Sequence, residues 1–569
     1  MRTRALLGLA IAIFLAAFPG ASAFARKKDA ADARRFHRQI SNDHRILHAL
    51  NRLTFGPRPG DAGIVRSAGL KKWIDLQLHP ERIPESPLLE GKLRTMDSLN
   101  MSGAQLVLNY PPPEVVRQMA AGQVPYPTDP ERRLLIQKLV ARSGGKTGDG
   151  SGAGVSDAAG LRDVLTPAQV RSLRTGTAEQ RLAAFQGLAA GAQYDVIAAL
   201  PQGMRQALFV IAPPGLRRTI ELSGGPAQVV ARDLMEAKLL RAIYSNRQLE
   251  EVLTDFWFNH FNVYFDKGAD RYLVTQYERD AIRPHILGKF RDLLEATAKS
   301  PAMLFYLDNW QSAGSNSTTP RGARRGLNEN YGRELMELHT LGVDGGYTQK
   351  DVTEVARCFT GWTIDRPQRG GTFSFNRRLH DDGPKTVLGV TIPAGGGIED
   401  GEKVLDILSH HPSTAHFISR ELAQRFMADN PPEPLVQRMA LTFEKTGGDL
   451  REVMKTMLAS KEFWSEGAYR SKVKSPLEMV ASAVRAVNGD VDFAFALVNQ
   501  VAQLGEPLYR KAEPTGYSNS GQEWVNSAGL LARMNFGVAL VNNQVPGVKV
   551  DGVPSSEGVT LGSPDFQRK

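Results

Sequence analysis

The sequence predicts a mainly α protein, built as one large multi-helix domain with a small β-hairpin insertion. Apolar residues recur at helical spacing along most of the 569-residue chain. Clear alternation of apolar residues is confined to residues 372–392, where it flanks a turn at Asp382-Gly383. With 42% hydrophobic and 23% charged residues, the chain has the composition of a globular protein with a sizeable core, which excludes the disordered and fibrous classes.

The first 23 residues have the three parts of a secretory signal peptide. Arg2 and Arg4 form a basic start, residues 5–18 are an apolar run, and Ala21-Ser22-Ala23 provides small residues before the cleavage point. The run is shorter than the roughly 18 apolar residues that a membrane-spanning helix needs. We therefore expect residues 1–23 to be removed and the mature protein to be exported, to the periplasm or outside the cell, without a transmembrane span.

The mature chain is expected to divide into three parts. Residues 24–40 form a flexible N-terminus, and a helix start signal at Asn42 opens a helical domain that covers residues 41–545. Within this domain, residues 143–160 (SGGKTGDGSGAGVSDAAG) have the Gly/Ser-rich composition of a flexible loop. Residues 546–569 are expected to form a flexible tail.

Cysteine content and charge restrict the classes of function. Cys358 is the single cysteine, so an intramolecular disulfide and a cysteine-based zinc site are excluded. The net charge is +10, but the basic residues are scattered and no nucleic-acid-binding module is recognisable. We therefore expect no nucleic-acid partner and consider an envelope protein or an extracellular polymer instead.

The segment RELMELHTLG (Arg333 to Gly342) raises the question of a metal site, because it holds two glutamates and a histidine. On a regular helix Glu334 and Glu337 share one flank, whereas His339 lies roughly 140° to 160° away. The three side chains therefore cannot bind one ion by themselves. Gly342 has the position of a left-handed residue that ends the helix, which places His339 in the last helical turn. A hydrogen-bond donor or a cation is favoured there, because the last carbonyl groups are unpaired and the helix dipole is negative at this end. The two glutamates remain candidate metal ligands, but they need further ligands from other segments. The alternative is surface ion pairing, for instance between Glu337 and Arg333.

Two histidines are candidate partners of these glutamates. His260 lies in DFWFNHFNVYF on an apolar helix face, where an imidazole must be hydrogen-bonded or ligated because an unpaired polar group there costs several kcal/mol. A satisfied core histidine is the more common outcome at such a position. His380, followed by Asp381, is expected at the tip of the predicted hairpin, which is either a solvated turn or a device that brings the histidine to a cleft.

Five segments carry a resemblance to a known family. They are LNRLTFGP (Leu50 to Pro57), FWFNHFNV (Phe256 to Val263), NENYGRELMELHTLGVDGGYTQKDVTEVARCFTGW (Asn328 to Trp362), HDDGPKTVLG (His380 to Gly389) and EWVNSAGLLARM (Glu523 to Met534). Together they make the chain similar to the bacterial family catalogued as domain of unknown function 1800. The resemblance implies an exported, largely helical protein whose biochemical activity is not established, and it supplies no catalytic residues. The family's usual C-terminal Gly-Trp is here Gly516-Tyr517.

Two hypotheses of function follow. The first is an exported binding or assembly factor of the cell envelope, in which the polar residues tie the hairpin to the helical core. The alternative is a secreted metal-assisted hydrolase acting on an extracellular polymer or ester. This hydrolase would hold a divalent metal ion with His260, Glu334, Glu337 and His380. Its candidate catalytic residues are His260 and Asp381, and Asp381 would act as an orienting carboxylate or as a base. The lack of a recognised catalytic signature favours the first hypothesis and leaves open whether the protein is an enzyme.

Overall fold

Helices build most of the computed structural model, which describes residues 34–144, 164–315, 317 and 326–569. These residues contain 27 α-helices and three two-stranded sheets. The predicted fold class, mainly α with small β elements, is therefore confirmed. The predicted signal peptide and most of the Gly/Ser-rich segment 143–160 lie outside the described residues.

The helices of the first part of the chain lead to one long central helix, α13. Helices α1 to α7 are Asn42–Leu53, Asp61–Ala68, Leu70–Gln77, Pro87–Leu93, Gly103–Asn109, Pro113–Ala120 and Pro130–Gly144. Helices α8 to α12 are Pro167–Thr175, Ala178–Ala183, Ala190–Ala199, Gln202–Ile211 and Pro214–Gly224. Helices α13 to α18 are Ala227–Tyr244, Gln248–His260, Asp270–Gln276, Phe290–Ala298, Pro301–Tyr306 and Asn330–Glu334. Two π-helical segments, Tyr277–Ile282 and Leu335–Thr340, directly continue α15 and α18.

Nine further helices follow in the described part of the C-terminal half. Helices α19 to α27 are Gln349–Cys358, Ile398–Ser409, Pro412–Phe426, Glu433–Lys445, Leu450–Ala459, Pro476–Ala486, Phe495–Gln503, Ser527–Val541 and Glu557–Gly562. Short 3₁₀ turns are Pro80–Arg82, Asp97–Asn100, Arg283–His285, Asn309–Gln311, Pro367–Arg369, Arg377–Leu379 and Gly521–Trp524. Helix starts carry the expected signals: Ser475 caps α24 by accepting from Glu478 N, and Pro476 occupies its first position.

Helix α13 is the centre of the main hydrophobic core. Its buried residues lie on several sides, and α4, α15, α24 and α25 pack against it. Its buried side chains include the apolar Val230, Leu234 and Ala237 and also the carboxyl groups of Asp233 and Glu236. Helices α8 to α12 instead surround a separate small core that includes Leu173, Ile197 and Leu208.

The predicted hairpin at 372–392 is corrected by the strand pairing. Strand β1 (Trp362–Ile364) pairs with β2 (Phe373–Phe375), and β3 (Lys385–Val387) pairs with β4 (Val390–Ile392). The tight turn is therefore Leu388-Gly389, with φ of 47° and 79°, because a two-residue hairpin loop takes positive φ at both central positions. The remaining ladder joins β5 (Asp490–Val491) to β6 (Val548–Lys549).

Both chain ends that were predicted as flexible are packed where the structure describes them. At the N-terminal end, Ile40 N donates to Trp464 O over 3.0 Å, and Glu466 N donates to Arg38 O over 2.8 Å. In the 546–569 segment, β6 and α27 are ordered, and Lys569 N donates to Lys472 O over 2.9 Å. Burial of Val548, Val550 and Leu561 supplies the hydrophobic stabilisation that composition alone did not reveal.

Within the described ranges, no helix combines the length and the apolar character that crossing a membrane requires.

Candidate functional site

The RELMELHTLG segment contains a wider turn than the regular helix assumed from its sequence. Leu341 N donates to Met336 O over 2.8 Å, which is the five-residue step of a π turn. Gly342 has φ of 81°, so its predicted left-handed conformation is confirmed. The π turn displaces the residues that follow it around the helix axis, and His339 is buried rather than capping a helix end. Burial, and then His260, lower the pKa of His339 to about 3.

Glu334 and Glu337 remain neighbours at the surface of the core. Burial and then the Glu337 charge raise the pKa of Glu334. Tyr347 Oη donates to Glu337 Oε2 over 3.3 Å, whereas Arg333 pairs with Glu329 at 3.4 Å rather than with Glu337.

His260 is enclosed by aromatic rings and makes a hydrogen bond within the core. Its Nε2 lies 3.2 Å from the His339 carbonyl oxygen and donates to it. The rings of Trp257 and Phe261 stand edge-on to the imidazole at 5.4 and 4.6 Å between centroids. Burial lowers the pKa of His260 to about 4. This is the arrangement of a hydrogen-bonded core histidine, the alternative that the sequence left open.

His380 lies buried in the core, not at a hairpin tip, because the predicted hairpin is two separate ladders. Its Nδ1 lies 2.7 Å from the Thr360 carbonyl oxygen, and its Nε2 lies 3.1 Å from Asp400 Oδ2. Lys385 Nζ reaches the same Asp400 oxygen over 2.6 Å. Both ring nitrogens of His380 are therefore in hydrogen-bonding contact, one with the Thr360 carbonyl oxygen and the other with the Asp400 carboxylate.

Asp381 forms a two-pronged ion pair with Arg357. Arg357 Nε donates to Asp381 Oδ2 over 2.9 Å, and Nη2 donates to Oδ1 over 3.0 Å. Although burial acts in the opposite direction, the hydrogen bonds from Arg357 and Gly383 N hold the pKa of Asp381 below its usual range. Arg357 also pairs with Glu354, and its ion pairs are therefore with Asp381 and Glu354.

The structure does not assemble the predicted metal-ligand set of His260, Glu334, Glu337 and His380. Over the described part of the chain, no group of three or more His, Cys, Asp or Glu side chains is arranged to hold a metal ion. His260 and His380 are each held by other partners, as described above.

A different polar site forms where the family-like segment FWFNHFNV meets the Gly516-Tyr517 position. Asn259 of FWFNHFNV pairs with the backbone of Tyr517: Tyr517 N donates to Asn259 Oδ1 over 2.6 Å, and Asn259 Nδ2 donates to Tyr517 O over 2.7 Å. Gly516 precedes with φ of 66°, and a Cβ there would stand 2.3 Å from Asn259 O. Asn262 Nδ2 donates to the carbonyl oxygens of Lys511 and Glu513. These amides fix the 511–517 loop against α14.

The loop covers a small polar cavity of about 40 Å³, here called the signature pocket. It is defined by Lys238, Asp255, Arg425, Ser475, Glu506 and Tyr517, and Trp524 also lines it. Space of this size holds about three water molecules. Tyr517, Ser518 and Trp524 are partly exposed and form the outer side of the pocket, whereas Glu506 is buried.

Two cations neutralise Asp255 inside the signature pocket. Lys238 Nζ lies 2.9 Å from Asp255 Oδ1, and Arg425 Nη2 lies 3.2 Å from Oδ2. Arg425 Nη1 also pairs with Glu478 Oε1 at 2.5 Å. The Nε of Arg425 is buried and has no partner among the described residues.

Glu506 is the other carboxyl group of the pocket. Unlike Asp255, it forms no ion pair with a described Lys or Arg side chain. Its Oε2 accepts from Leu477 N over 2.8 Å. Burial and then the neighbouring Asp255 charge raise its pKa to about 7. Nearby Tyr509 has φ of 60°, a strained conformation for a bulky residue, and its hydroxyl donates to Glu278 Oε2 over 2.6 Å.

A larger concave surface, here called the α13 groove, consists of three adjoining depressions of about 530, 410 and 320 Å³. Arg232 and Phe495 line the first and second, and Glu221 and Phe493 line the first and third. The cationic side chains of the groove are Lys92, Arg205, Arg217, Arg218, Arg232, Arg271 and Arg510. Its carboxyl side chains are Glu221, Asp233, Glu236, Asp266 and Asp492.

Sequence reasoning missed both concave features. Their charged residues lie on helices whose patterns indicated only a core, and the contacts join residues far apart, as with Asn259 and Tyr517, which are 258 positions apart. The sequence feature that could have indicated them is the presence of charged residues within otherwise apolar helical segments, as at Lys238 and Asp255.

The family model described as "Protein of unknown function (DUF1800)" matches residues 48–565. The chain therefore belongs to this family, as the five segments indicated. No curated protein and no solved structure matches the chain.

Proposed function

We propose that the protein is an exported binding protein of the cell envelope that holds an extended anionic polysaccharide in the α13 groove. The observation that carries the proposal is the groove itself, three joined depressions lined by seven cationic and five carboxyl side chains. Export is the expectation from residues 1–23, and it would place the groove among extracellular polymers.

The dimensions of the groove suit a polymer rather than a small molecule. The lining residues of α13 run from Ala227 to Leu240, which corresponds to about 20 Å of helix. The depressions adjoin one another instead of enclosing one cavity. Peptide recognition by strand addition would use a free strand edge, but the described strands are two or three residues long. The charged side chains along the groove are also unlike the lining of an apolar helix-binding groove.

Charge favours an anionic ligand. Burial and then the Glu221 charge raise the pKa of Glu236 to about 8, so this carboxyl is mostly neutral at pH 7 and the excess of positive charge grows. The side chain of Arg205 lines the groove and has no hydrogen-bond or ion-pair partner among the described residues. Arg232 lies over the rings of Phe209 and Phe495 at 4.7 and 4.3 Å, which fixes its guanidinium plane. Planar guanidinium groups pair with carboxylates in two-pronged fashion, as an acidic polysaccharide would require.

Binding to polygalacturonate, a carboxylated polysaccharide, tests this function. We expect saturable binding by calorimetry that weakens as salt rises, and no binding to neutral dextran. Arg205→Glu should raise the Kd by at least about tenfold, equivalent to about 1.4 kcal/mol. The matched control is Arg66→Glu, which makes the same charge change on exposed α2 and should leave the Kd unchanged. Equal losses in both variants, or tighter binding of polyglutamate than of polygalacturonate, would refute the proposal.

A further inference from the structure

We propose that a further cavity, here called the Lys474 pocket, binds a small organic phosphate whose phosphate group accepts a hydrogen bond from Lys474 Nζ. The cavity has a volume of about 270 Å³. It is lined mainly by residues of α1 and α24 and of the segments 469–474 and 565–569. The Lys474 pocket shares no lining residue with the α13 groove, so this site does not depend on the binding of a polysaccharide there.

Contacts of the backbone and of the side chain hold Lys474 at the wall of the cavity. Lys474 N donates to Gln567 O over 2.9 Å, and Arg533 Nη1 donates to Lys474 O over 2.9 Å. The side chain leads from this fixed backbone to the ring of Phe566, whose centre is 3.7 Å from Nζ. The position of the amine is therefore set by the fold before any ligand binds.

Lys474 is a buried lysine without an anionic partner. Of the four buried lysines in the described chain, the three others each pair with a carboxylate, namely Lys385, Lys472 and Lys569. Lys474 Nζ forms no hydrogen bond or ion pair with a described residue, and it is not one of the fully enclosed donors, so it is open to the cavity. The Phe566 ring covers one side of the ammonium group, which has three N–H donors, so the others are left for an acceptor that enters the cavity.

The charges around the cavity favour a doubly negative ligand. Arg470, Arg568 and Lys569 also line it, and Asp565 is the carboxyl side chain among its lining residues. Asp565 pairs with Arg470 at 3.5 Å, and Lys569 has its own carboxylate partner. The exposed side chain of Arg568, like that of Lys474, has no ion-pair partner among the described residues. Two unpaired cations at one cavity suit a phosphate dianion, since lysine binds phosphate as a point charge and arginine binds it with its planar fork.

The size of the cavity indicates that the phosphate carries an organic group. A volume of 270 Å³ corresponds to roughly 20 water-sized positions, several times what a phosphate group fills. The apolar side chains of Leu47, Pro57 and Phe566 line the same cavity and would contact the organic group. The ligand is therefore a phosphate monoester with a small apolar or aromatic substituent.

The titration of Lys474 couples this binding to pH. Burial lowers the pKa of Lys474 to about 7, with Arg470 and Arg533 acting in the same direction and Glu478 in the opposite one. The other charged or titratable side chains that line the cavity are His48, Tyr469, Asp565, Arg568 and Lys569. A bound phosphate dianion favours the charged form of Lys474. Below about pH 7 this side chain is already charged, so the affinity should fall as the pH rises above 7.

Calorimetry on the full-length protein tests the site with p-nitrophenyl phosphate, a dianion from pH 6.5 to 8.5, and with the neutral p-nitrobenzyl alcohol. We expect saturable binding of the phosphate and no binding of the alcohol. The Kd of the phosphate should rise by about tenfold from pH 6.5 to 8.5, because Lys474 loses its charge over this range. Arg205→Glu, in the α13 groove, should leave this Kd unchanged.

Two variants test the residues that hold the phosphate group. Lys474→Met should raise the Kd at pH 6.5 by at least about tenfold and remove its pH dependence. Arg568→Gln, at an exposed position, should keep the fold and raise the Kd by at least about threefold. The matched control Lys461→Met removes a positive charge from another exposed position and should change neither the Kd nor its pH dependence.

Three results would overturn the proposal. The first is no binding of p-nitrophenyl phosphate to the parent protein, or equal binding of the alcohol. The second is an unchanged Kd in folded Lys474→Met and Arg568→Gln proteins. The third is a loss of affinity in Lys461→Met or Arg205→Glu as large as that in Lys474→Met, which would show that the phosphate binds elsewhere.

Discussion

The carboxyl group of Glu236 lies buried in the wall of the α13 groove and accepts a hydrogen bond of 3.2 Å from Ala494 N. The like-charged neighbours Glu221 and Asp233 raise its pKa, whereas the Arg232 charge and the hydrogen bond from Ala494 N lower it. The residue is thus a buried acid that the fold tolerates mainly in its neutral form.

Replacement of Glu236 by Gln should stabilise the protein in a pH-dependent way. The folded-state pKa of about 8 exceeds the unfolded value, so the folded protein holds this proton more tightly than the unfolded chain does. The free energy of unfolding is therefore higher at low pH and decreases as the pH rises toward 8. At pH 8.5, Glu236→Gln should therefore increase the free energy of unfolding by on the order of a few kcal/mol and raise the Tm. At pH 4 it should change both little. The control is Glu90→Gln on exposed α4. A Tm gain of equal size at both pH values would contradict this explanation.

Single positions were predictable from sequence where local chemistry decides their conformation. Gly342 has the left-handed φ that its position after a helix indicated. His339 was misplaced because a π turn replaces the regular turn, which a 3.6-residue period cannot reveal. Asn259 was missed because its partner is the backbone of a distant loop.

At the scale of elements, helices α8 to α12 stand apart through their own small core. The separate cluster contains fewer buried side chains than the main core, which extends from Leu53 to Leu561. Helices stabilised by a small core open at a lower free energy than helices at the centre of a large one.

Hydrogen–deuterium exchange should therefore be faster in α8 to α12 than in α13 to α16. We expect peptides from residues 190–211 to exchange at least about tenfold faster than peptides from 230–243 under native conditions. The comparison within one molecule is its own control. Equal protection of both sets would mean that the two cores unfold as a unit.

Most helices could be predicted from apolar spacing, capping residues and proline positions, because these signals are local. The strand pairing could not, since β2 pairs with a strand before it and β3 with a strand after it. Alternation identifies strand character but does not choose the partner.

For the molecule as a whole, the family match over residues 48–565 and the main core both extend over most of the chain. The predicted metal set was not assembled because His260 and His380 each complete a local hydrogen-bond network. The two concave features arise only when α13, α14 and α25 are brought together, so no short sequence window contains them. The net charge of +10 is in keeping with an anionic ligand, but the position of the groove required the fold.

Arginine footprinting tests the central claim most directly. The protein is treated with phenylglyoxal, with and without polygalacturonate, and the modification of each arginine is measured by mass spectrometry. We expect Arg205, Arg271 and Arg510 in the groove to become protected, and the exposed Arg66 and Arg174 to react as before. Protection of Arg66 and Arg174 to the same extent, or unchanged reactivity of the groove arginines at saturating polymer, would contradict binding in the α13 groove.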